Sequence, residues 1–494
     1  MALTLAIDLG TTNLKVGLVN ERGEILLVSA LPLQTKSSEL GAAEHDPEVL
    51  KNMLFDLCKQ VLTNDYKDQV GYIVSSTYQF GLMLLDEQKN PITPITLLTD
   101  IRSQKTFSDF IASFNDVDIY QKTGCPIISQ YVLPRLFYFS KEKTTLFKKA
   151  KYFSDSKAFI FELLTGEWVT DMSTAAATQF YNVDHYKWDE ELLSKLDLTS
   201  DQFPLVEDGT KYNASLKKEL CDAFGLKENV KVILGLYDGA ALAVGLSGLE
   251  SNVGIVNLGT TAMLRIPGNQ PIFDKSENKR LQAYALYKGF FLNGGALNNA
   301  SLPLDWMKSN LFDIEMQDES LLQISNEPPI FSLPYLTGER DSKIGPFASG
   351  VFFGIRRNHT QVDFARSVLE GVAYSMRYIY EALDQNNLHI KEIRMGGGGV
   401  NIKVWPQIFA DILGVSVTIS SVNEVALVGN TMLALTAVGV FKDLNEASET
   451  MLKVGKRIEP NKMAMSIHDQ RYQFFKKLRE ALGPLYIEHA DLRF

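Results

Sequence analysis

The side chains best suited to chemistry near the start of this 494-residue chain lie in Asp8-Leu9-Gly10-Thr11-Thr12-Asn13-Leu14-Lys15. An apolar stretch from Leu3 to Ile7 runs into an acid, a Gly-Thr-Thr turn and a lysine, and a second apolar stretch from Val16 to Val19 follows. Gly10 permits close backbone approach or a positive φ. The hydroxyls of Thr11 and Thr12 and the exposed turn amides are donors suited to phosphate oxygens, and Lys15 adds charge. Asp8, at the strand end, can hold a water, or Mg2+ through water. A polar turn closing an ordinary hairpin accounts for the same residues.

Three further groups are candidates. Asp238 follows an apolar run (Val230 to Leu234) inside Gly235-Leu236-Tyr237-Asp238-Gly239-Ala240-Ala241. A carboxylate there is either a partly desolvated base able to take a proton from a substrate hydroxyl or the N-cap of a helix over 240–246. Gly396-Gly397-Gly398-Gly399 sits between a predicted strand, 391–395, and a predicted helix bearing Trp405, Phe409, Ile412 and Leu413. Four glycines offer bare backbone for a flat ring such as adenine, or form a tight packed turn. Asp100 and Arg102, with Gln79 and the wall of Phe80, suit polyol hydroxyls; a surface ion pair is the alternative. Neither GxxxxGK[ST] nor GxGxxG after the first strand is present, so a nucleotide would need another scaffold.

These residues need a frame. Strand signals at 3–8, 14–20 and 24–30 predict an antiparallel three-strand start. Leu50, Leu54, Leu57 and Val61 recur at helical spacing, as do the apolar positions of 361–384. Strands are expected at 72–75, 82–85, 290–292 and 415–419, and a buried helix at 426–440. The opening pattern then returns: Leu9-Gly10-Thr11-Thr12 is repeated as Leu258-Gly259-Thr260-Thr261, about half a chain away and again between strand signals. Duplication explains this best. It implies two similar α/β domains, 1–245 and 246–494, each offering its turn to a shared cleft.

Composition narrows the partners. The chain is 45% apolar and 22% charged with a net charge of −10, which favours neither nucleic acid nor an anionic membrane. Cys58, Cys125 and Cys221 are far apart and the six histidines scattered, so no disulfide framework or zinc site is legible. No apolar run reaches the ~20 residues of a membrane span, and the cytoplasm is the expected compartment.

Taken together, these motifs resemble the FGGY carbohydrate kinases of the actin-like ATPase superfamily over residues 4 to 445. Gly350-x-Phe352-x-Gly354-Ile355 followed by Asp363-Phe364-x-x-Ser367-Val368-Leu369-Glu370 fits that family's C-terminal signature. The resemblance implies an α/β fold of two duplicated actin-like (ribonuclease H-like) domains around a central cleft. It implies Asp238 as general base, ATP contacts at Thr11, Thr12, Asn13, Lys15, Gly259, Thr260, Gly397, Gly398, Gly399 and Asn401, and Mg2+ held near Asp8 through water. It places the sugar near Gln79, Phe80, Asp100, Arg102 and Asp238, and it allows a homodimer. Some positions depart from the family pattern: Gln79-Phe80 replaces Met-His, Leu98 replaces Trp, and Pro134-Arg135 replaces Pro-Lys. The Gly294 to Asn299 run and Pro334 to Arg340 are most similar to gluconate kinases, although Ala300-Ser301 stands where glycines usually follow. Gluconate is therefore the expected acceptor, with Arg102 or Arg135 for its carboxylate. Xylulose and other ketoses or polyols come next, and an actin-like ATP-binding regulator without sugar turnover is the reading from another class.

Overall fold

The computed structural model describes residues 2–312, 319–324, 328–341, 345–453 and 455–492. In the first half, β1 (Leu3–Leu9), β2 (Asn13–Val19) and β3 (Ile25–Pro32) form an antiparallel meander, and β4 (Val70–Thr77) returns parallel to β1. The crossover is α1 (Pro47–Val61). Asp46 caps it by accepting the N–H groups of Glu48 and Val49, and Leu50, Leu54, Leu57 and Val61 are buried. A largely helical insert follows, containing α2 (Ser156–Thr165). Then β5 (Asn213–Ser215) and β6 (Lys231–Ile233) complete a sheet of order β5-β6-β4-β1-β2-β3. The next element is α3 (Asp238–Ser247).

The second half repeats this plan. The antiparallel strands are β7 (Val253–Leu258), β8 (Ala262–Gly268), β9 (Gln282–Tyr287) and β10 (Phe290–Leu297). β11 (Glu392–Gly396) and β12 (Ser416–Ile419) run parallel to β7, and β13 (Arg457–Ile458) closes the edge. The order is β9-β10-β8-β7-β11-β12-β13. The helices are α4 (Gln361–Gln385), α5 (Trp405–Leu413), α6 (Val425–Ala437) and α7 (Lys462–Asp491). In each half, a helix (α3 or α6) follows the last parallel strand. The architecture is thus the α/β fold of two duplicated actin-like halves expected from the sequence.

The halves are joined through α3 and α6. These helices meet at Gly245 and Gly429, where a Cβ would run into the carbonyls of Val425 and Ala241 respectively. Only glycine permits so close a crossing. α6 also reaches across to the first sheet: Asn430 Nδ2 donates to the Ile7 carbonyl (2.9 Å) and to Ser76 Oγ (2.8 Å). One apolar cluster accordingly combines Val19 and Val74 of the first half with Tyr284 and Val428 of the second.

The expected division at 245/246 lies within α3, which continues to Ser247 and is capped by Gly248. Two features differ from the sequence expectation. Asn293, Gly294 and Gly295, expected beyond a short strand, belong to β10. The long C-terminal α7, with Pro484 inside it, carried no motif. Among the described residues no helix is long and apolar enough to cross a membrane.

Candidate active site

The carboxylate of Asp8 stands at the C-terminal end of β1, opposite Lys15 on β2 and Ser76 on β4. Ser76 Oγ donates to Asp8 Oδ1 (2.7 Å). Burial raises the Asp8 carboxyl above its ordinary range, opposed by this bond and by Lys15. Lys15 Nζ in turn donates to Glu424 Oε2 at 2.5 Å, an ion pair between the halves. The turn itself is tied by the Gly10 N–H to the Asn13 carbonyl (3.0 Å), leaving Thr11 and Thr12 exposed.

Asp238 is the first residue of α3 rather than its N-cap, which is Tyr237. Its Oδ1 accepts the Gly239 N–H at 2.7 Å. Burial, and next the negative charge of Asp8, push the carboxyl up to about 7. Such a group changes protonation near neutral pH, which suits an acid–base role. Beneath it lies Lys157 of α2, fully buried, whose Nζ donates to the carbonyls of Ser75, Leu234 (2.9 Å) and Leu236 (3.1 Å). It pins together the ends of the strands from which Ser76 and Asp238 emerge, and burial lowers its ammonium to about 8.

One cavity of about 560 Å³ unites Asp8, Lys15 and Asp238 with Asn257, Gly396, Gly397, Gly398, Asn401 and Glu424. The glycine run is divided in function. Gly397 has φ +92°, and a Cβ there would lie 2.5 Å from Asn257 Oδ1. Gly398 has open space on that side, whereas Gly399 packs against Leu258. The second turn is tied by the Gly259 N–H to the Thr261 carbonyl (2.9 Å), with Thr260 and Thr261 exposed. Thr11, Thr12, Asn13, Gly259, Thr260 and Gly399 do not line this cavity.

A second cavity of about 620 Å³ lies between the halves, lined by Leu98, Thr99, Gln130, Thr261, Asn298 and Arg340 among others. Its described lining includes one arginine, Arg340, one histidine, His489, and no carboxylate. Phe80, held at φ 65°, places its ring 5.9 Å from the Arg340 guanidinium. Gln79 is fixed by donating to the Ser173 carbonyl (2.8 Å).

Asp100 and Arg102 do not present the free polar groups expected of them. They are 1% and 5% exposed. Arg102 forms ion pairs with Asp100 (2.6 Å), Glu44 (2.7 Å) and Glu39 (2.8 Å), while Asp100 also accepts the Ala43 N–H. This is a buried strut, not a surface pair. Arg135 is also turned inward, donating to Thr96 Oγ1 (2.6 Å) and the Phe80 carbonyl. Neither arginine is available to a substrate carboxylate.

Comparison with known proteins agrees with this geometry. Residues 3–245 match the N-terminal domain of the FGGY family of carbohydrate kinases, and residues 254–438 match its C-terminal domain. The chain belongs to the FGGY family. It is 25% identical to a gluconokinase of Bacillus subtilis (strain 168), an alignment covering 99% of this chain and 97% of that one. The fold superposes on a ligand-bound xylulose kinase from Lactobacillus acidophilus with TM-score 0.92 at 26% identity, covering 99% and 100% of the chains. It also superposes on a gluconate kinase from the same organism with TM-score 0.90 at 26% identity and the same coverage.

Several residues lining the Asp8–Asp238 cavity of this FGGY kinase were not among the candidates expected from the sequence, notably Asn257, Asn423 and Glu424. The internal repeat held the signal. Asn257 precedes Leu258-Gly259-Thr260-Thr261 as Asp8 precedes Leu9-Gly10-Thr11-Thr12, and Glu424 precedes α6 much as Tyr237 precedes α3. Among the described residues no group of three His, Cys, Asp or Glu side chains is placed to hold a metal ion. A carboxylate at the edge of a polar cavity fits a hydrated Mg2+, which retains several waters and takes few protein ligands.

Proposed function

We propose that this carbohydrate kinase transfers the γ-phosphoryl group of ATP to a terminal hydroxyl of a small sugar acid, gluconate to 6-phosphogluconate being the leading case. The observation that carries the phosphoryl-transfer reading is Asp238, a buried carboxyl pushed up to about 7 in the same cavity as Asp8, Lys15 and the glycine run. In this reading, Asp238 accepts the proton of the acceptor hydroxyl as its oxygen attacks the γ-phosphorus in line, and ADP leaves. The open face of Gly398 supports the adenosine side, together with Gly397 and Asn401. Thr11, Thr12, Asn13, Gly259 and Thr260, exposed on the two turns, supply donors to the phosphates, and Lys15 offsets their charge. Mg2+, held by Asp8 through water, would neutralise charge on the transferred group. Gly399 acts from behind, by fixing the loop against Leu258.

The acid acceptor is supported by the absence of carboxylates from the described lining of the second cavity, in a chain of net charge −10. Gln79 and Phe80 shape that site from beneath, and Asp100 with Arg102 stiffens its wall. A neutral ketose is the second reading, because a xylulose kinase superposes as well as a gluconate kinase does. We further place the joint between the halves at 248–252, just after α3.

Asp238→Asn keeps the shape of the side chain and removes the base. Turnover is expected to fall by about 10³-fold or more while the affinity for ATP stays within a few-fold. Near-normal turnover would contradict the role. ADP release measured across a panel of aldonates, ketoses and polyols decides the acceptor, and stimulation by none of them would favour the actin-like regulator.

A further inference from the structure

We propose that Arg265 recognises the carboxylate of an acid acceptor and so separates acids from neutral sugars; this rests on the phosphoryl-transfer reading above and narrows its acceptor. Arg265 lies on β8, two residues beyond Met263. The Met263 thioether reaches to within 3.0 Å of where a Cβ on Gly239 would stand, so β8 runs beside the residue that follows Asp238. Alternation along a strand puts Met263 and Arg265 on one face, about 7 Å apart.

Arg265 is 2% exposed. Its Nη2 donates to Gln282 Oε1 at 2.5 Å, but Nε and Nη1 have no hydrogen-bond partner. Among the described residues no Asp or Glu pairs with it, unlike the other buried arginines Arg102, Arg280 and Arg479, each of which holds a carboxylate. Arg135 also lacks one, but both its outer nitrogens bond fixed oxygens of Thr96 and Phe80. A buried guanidinium with no counter-charge is costly.

The neighbours of Arg265 are neutral phenols, which bring no counter-charge. Its Cζ lies 4.6 Å from the centre of the Tyr284 ring, and Tyr237 packs beside it. The hydroxyls of Tyr237 and Tyr284 are buried and unpartnered. Burial raises both phenols, Tyr237 to about 12, so each keeps its proton. Two N–H groups and two phenol hydroxyls thus lie together with no carboxylate among them. A planar carboxylate supplies the missing charge and accepts from Nε and Nη1 in parallel.

This group straddles the seam between the halves. Tyr131 and Tyr237 come from the first half, Gln282 and Tyr284 from the second. Gln282 Nε2 donates to the Tyr131 hydroxyl (2.5 Å), and Tyr131 lies on Phe80 with ring centres 4.6 Å apart, below Arg340 of the acceptor cavity. An acid admitted when the halves part would be enclosed with its hydroxyl at Asp238 and its carboxylate at Arg265.

The test compares gluconate with glucitol, the same carbon chain bearing an alcohol in place of the carboxylate. Gln282→Glu keeps the side-chain shape and gives Arg265 an internal carboxylate. It is expected to raise KM for gluconate about 10- to 100-fold, the scale of one charge-assisted contact. The KM for ATP should stay unchanged, and the melting temperature should rise. Arg265→Met should bring the gluconate-to-glucitol preference towards unity, and Arg265→Lys should retain part of it. Wild-type KM for gluconate in both Gln282→Glu and Arg265→Met, or loss of the preference in Arg340→Met alone, overturns the role of Arg265 and leaves the acceptor reading standing. A wild-type enzyme that phosphorylates no aldonate overturns the acid-acceptor reading and the role of Arg265 together.

Discussion

The two strand–turn–strand units of this kinase share a backbone plan but differ in what surrounds the end of the first strand. In the first unit, Asp8 faces Lys15 and Ser76 across the sheet. In the second, Asn257 holds the place of Asp8 and faces Met263 and Gly396. The turns differ in length too, since Leu9 pairs with Leu14 whereas Leu258 pairs with Ala262. Around the first strand end stand an acid and a lysine, around the second an amide, a glycine and a thioether. In the proposed mechanism the duplicated frame is divided between two tasks, the Asp8 side meeting a metal-bound polyphosphate and the Asn257 side offering bare backbone to a flat, neutral ring.

Exchanging the two residues tests this division. Asp8→Asn makes the first unit resemble the second. It is expected to lower kcat by about 10²- to 10³-fold, the loss that follows removal of one preorganised electrostatic group, as read by coupled ADP-release kinetics. Asn257→Asp makes the second resemble the first by placing a carboxylate against Gly397. An increase of about tenfold in KM for ATP is expected with kcat little changed; an unaltered KM would show that the amide's neutrality is unimportant. The smallest contrast lies within the glycine run. Gly397→Ala meets both a positive φ and the Asn257 side chain, and should cost about 1–3 kcal/mol of stability in thermal unfolding. Gly398→Ala, with open space around it, should change stability by under about 1 kcal/mol and act on nucleotide affinity instead.

Much of the frame was legible because it depends on local pattern. The meander of β1 to β3, α1 and α4 follow from apolar periodicity, α6 from a small and apolar run, and the repeat announced the duplication. The residues that come to share one cavity were legible where they sit at strand ends, at Asp8, Asp238 and the glycine run. Roles were not legible where distant residues decide a side chain's fate. Asp100 and Arg102 look like free polar groups until Glu44 and Glu39 arrive from the β3–α1 connection. Lys157, in an apolar helix, gains meaning only from three carbonyls some 80 residues away in either direction along the chain. Arg265 reads as an ordinary strand residue, because what distinguishes it is a partner that does not arrive.

Asp238 joins the two sides, and its poise near neutral pH is the centre of the proposed mechanism. Its carboxyl must be ionised to take a proton, and burial with Asp8 nearby places that change at about 7. The most direct measurement is kcat/KM for the best acceptor from about pH 5.5 to 8.5 with ATP saturating. The rate is expected to rise tenfold per pH unit below an inflection near 7 and then level off. A flat profile across this range would contradict Asp238 as the base that begins phosphoryl transfer.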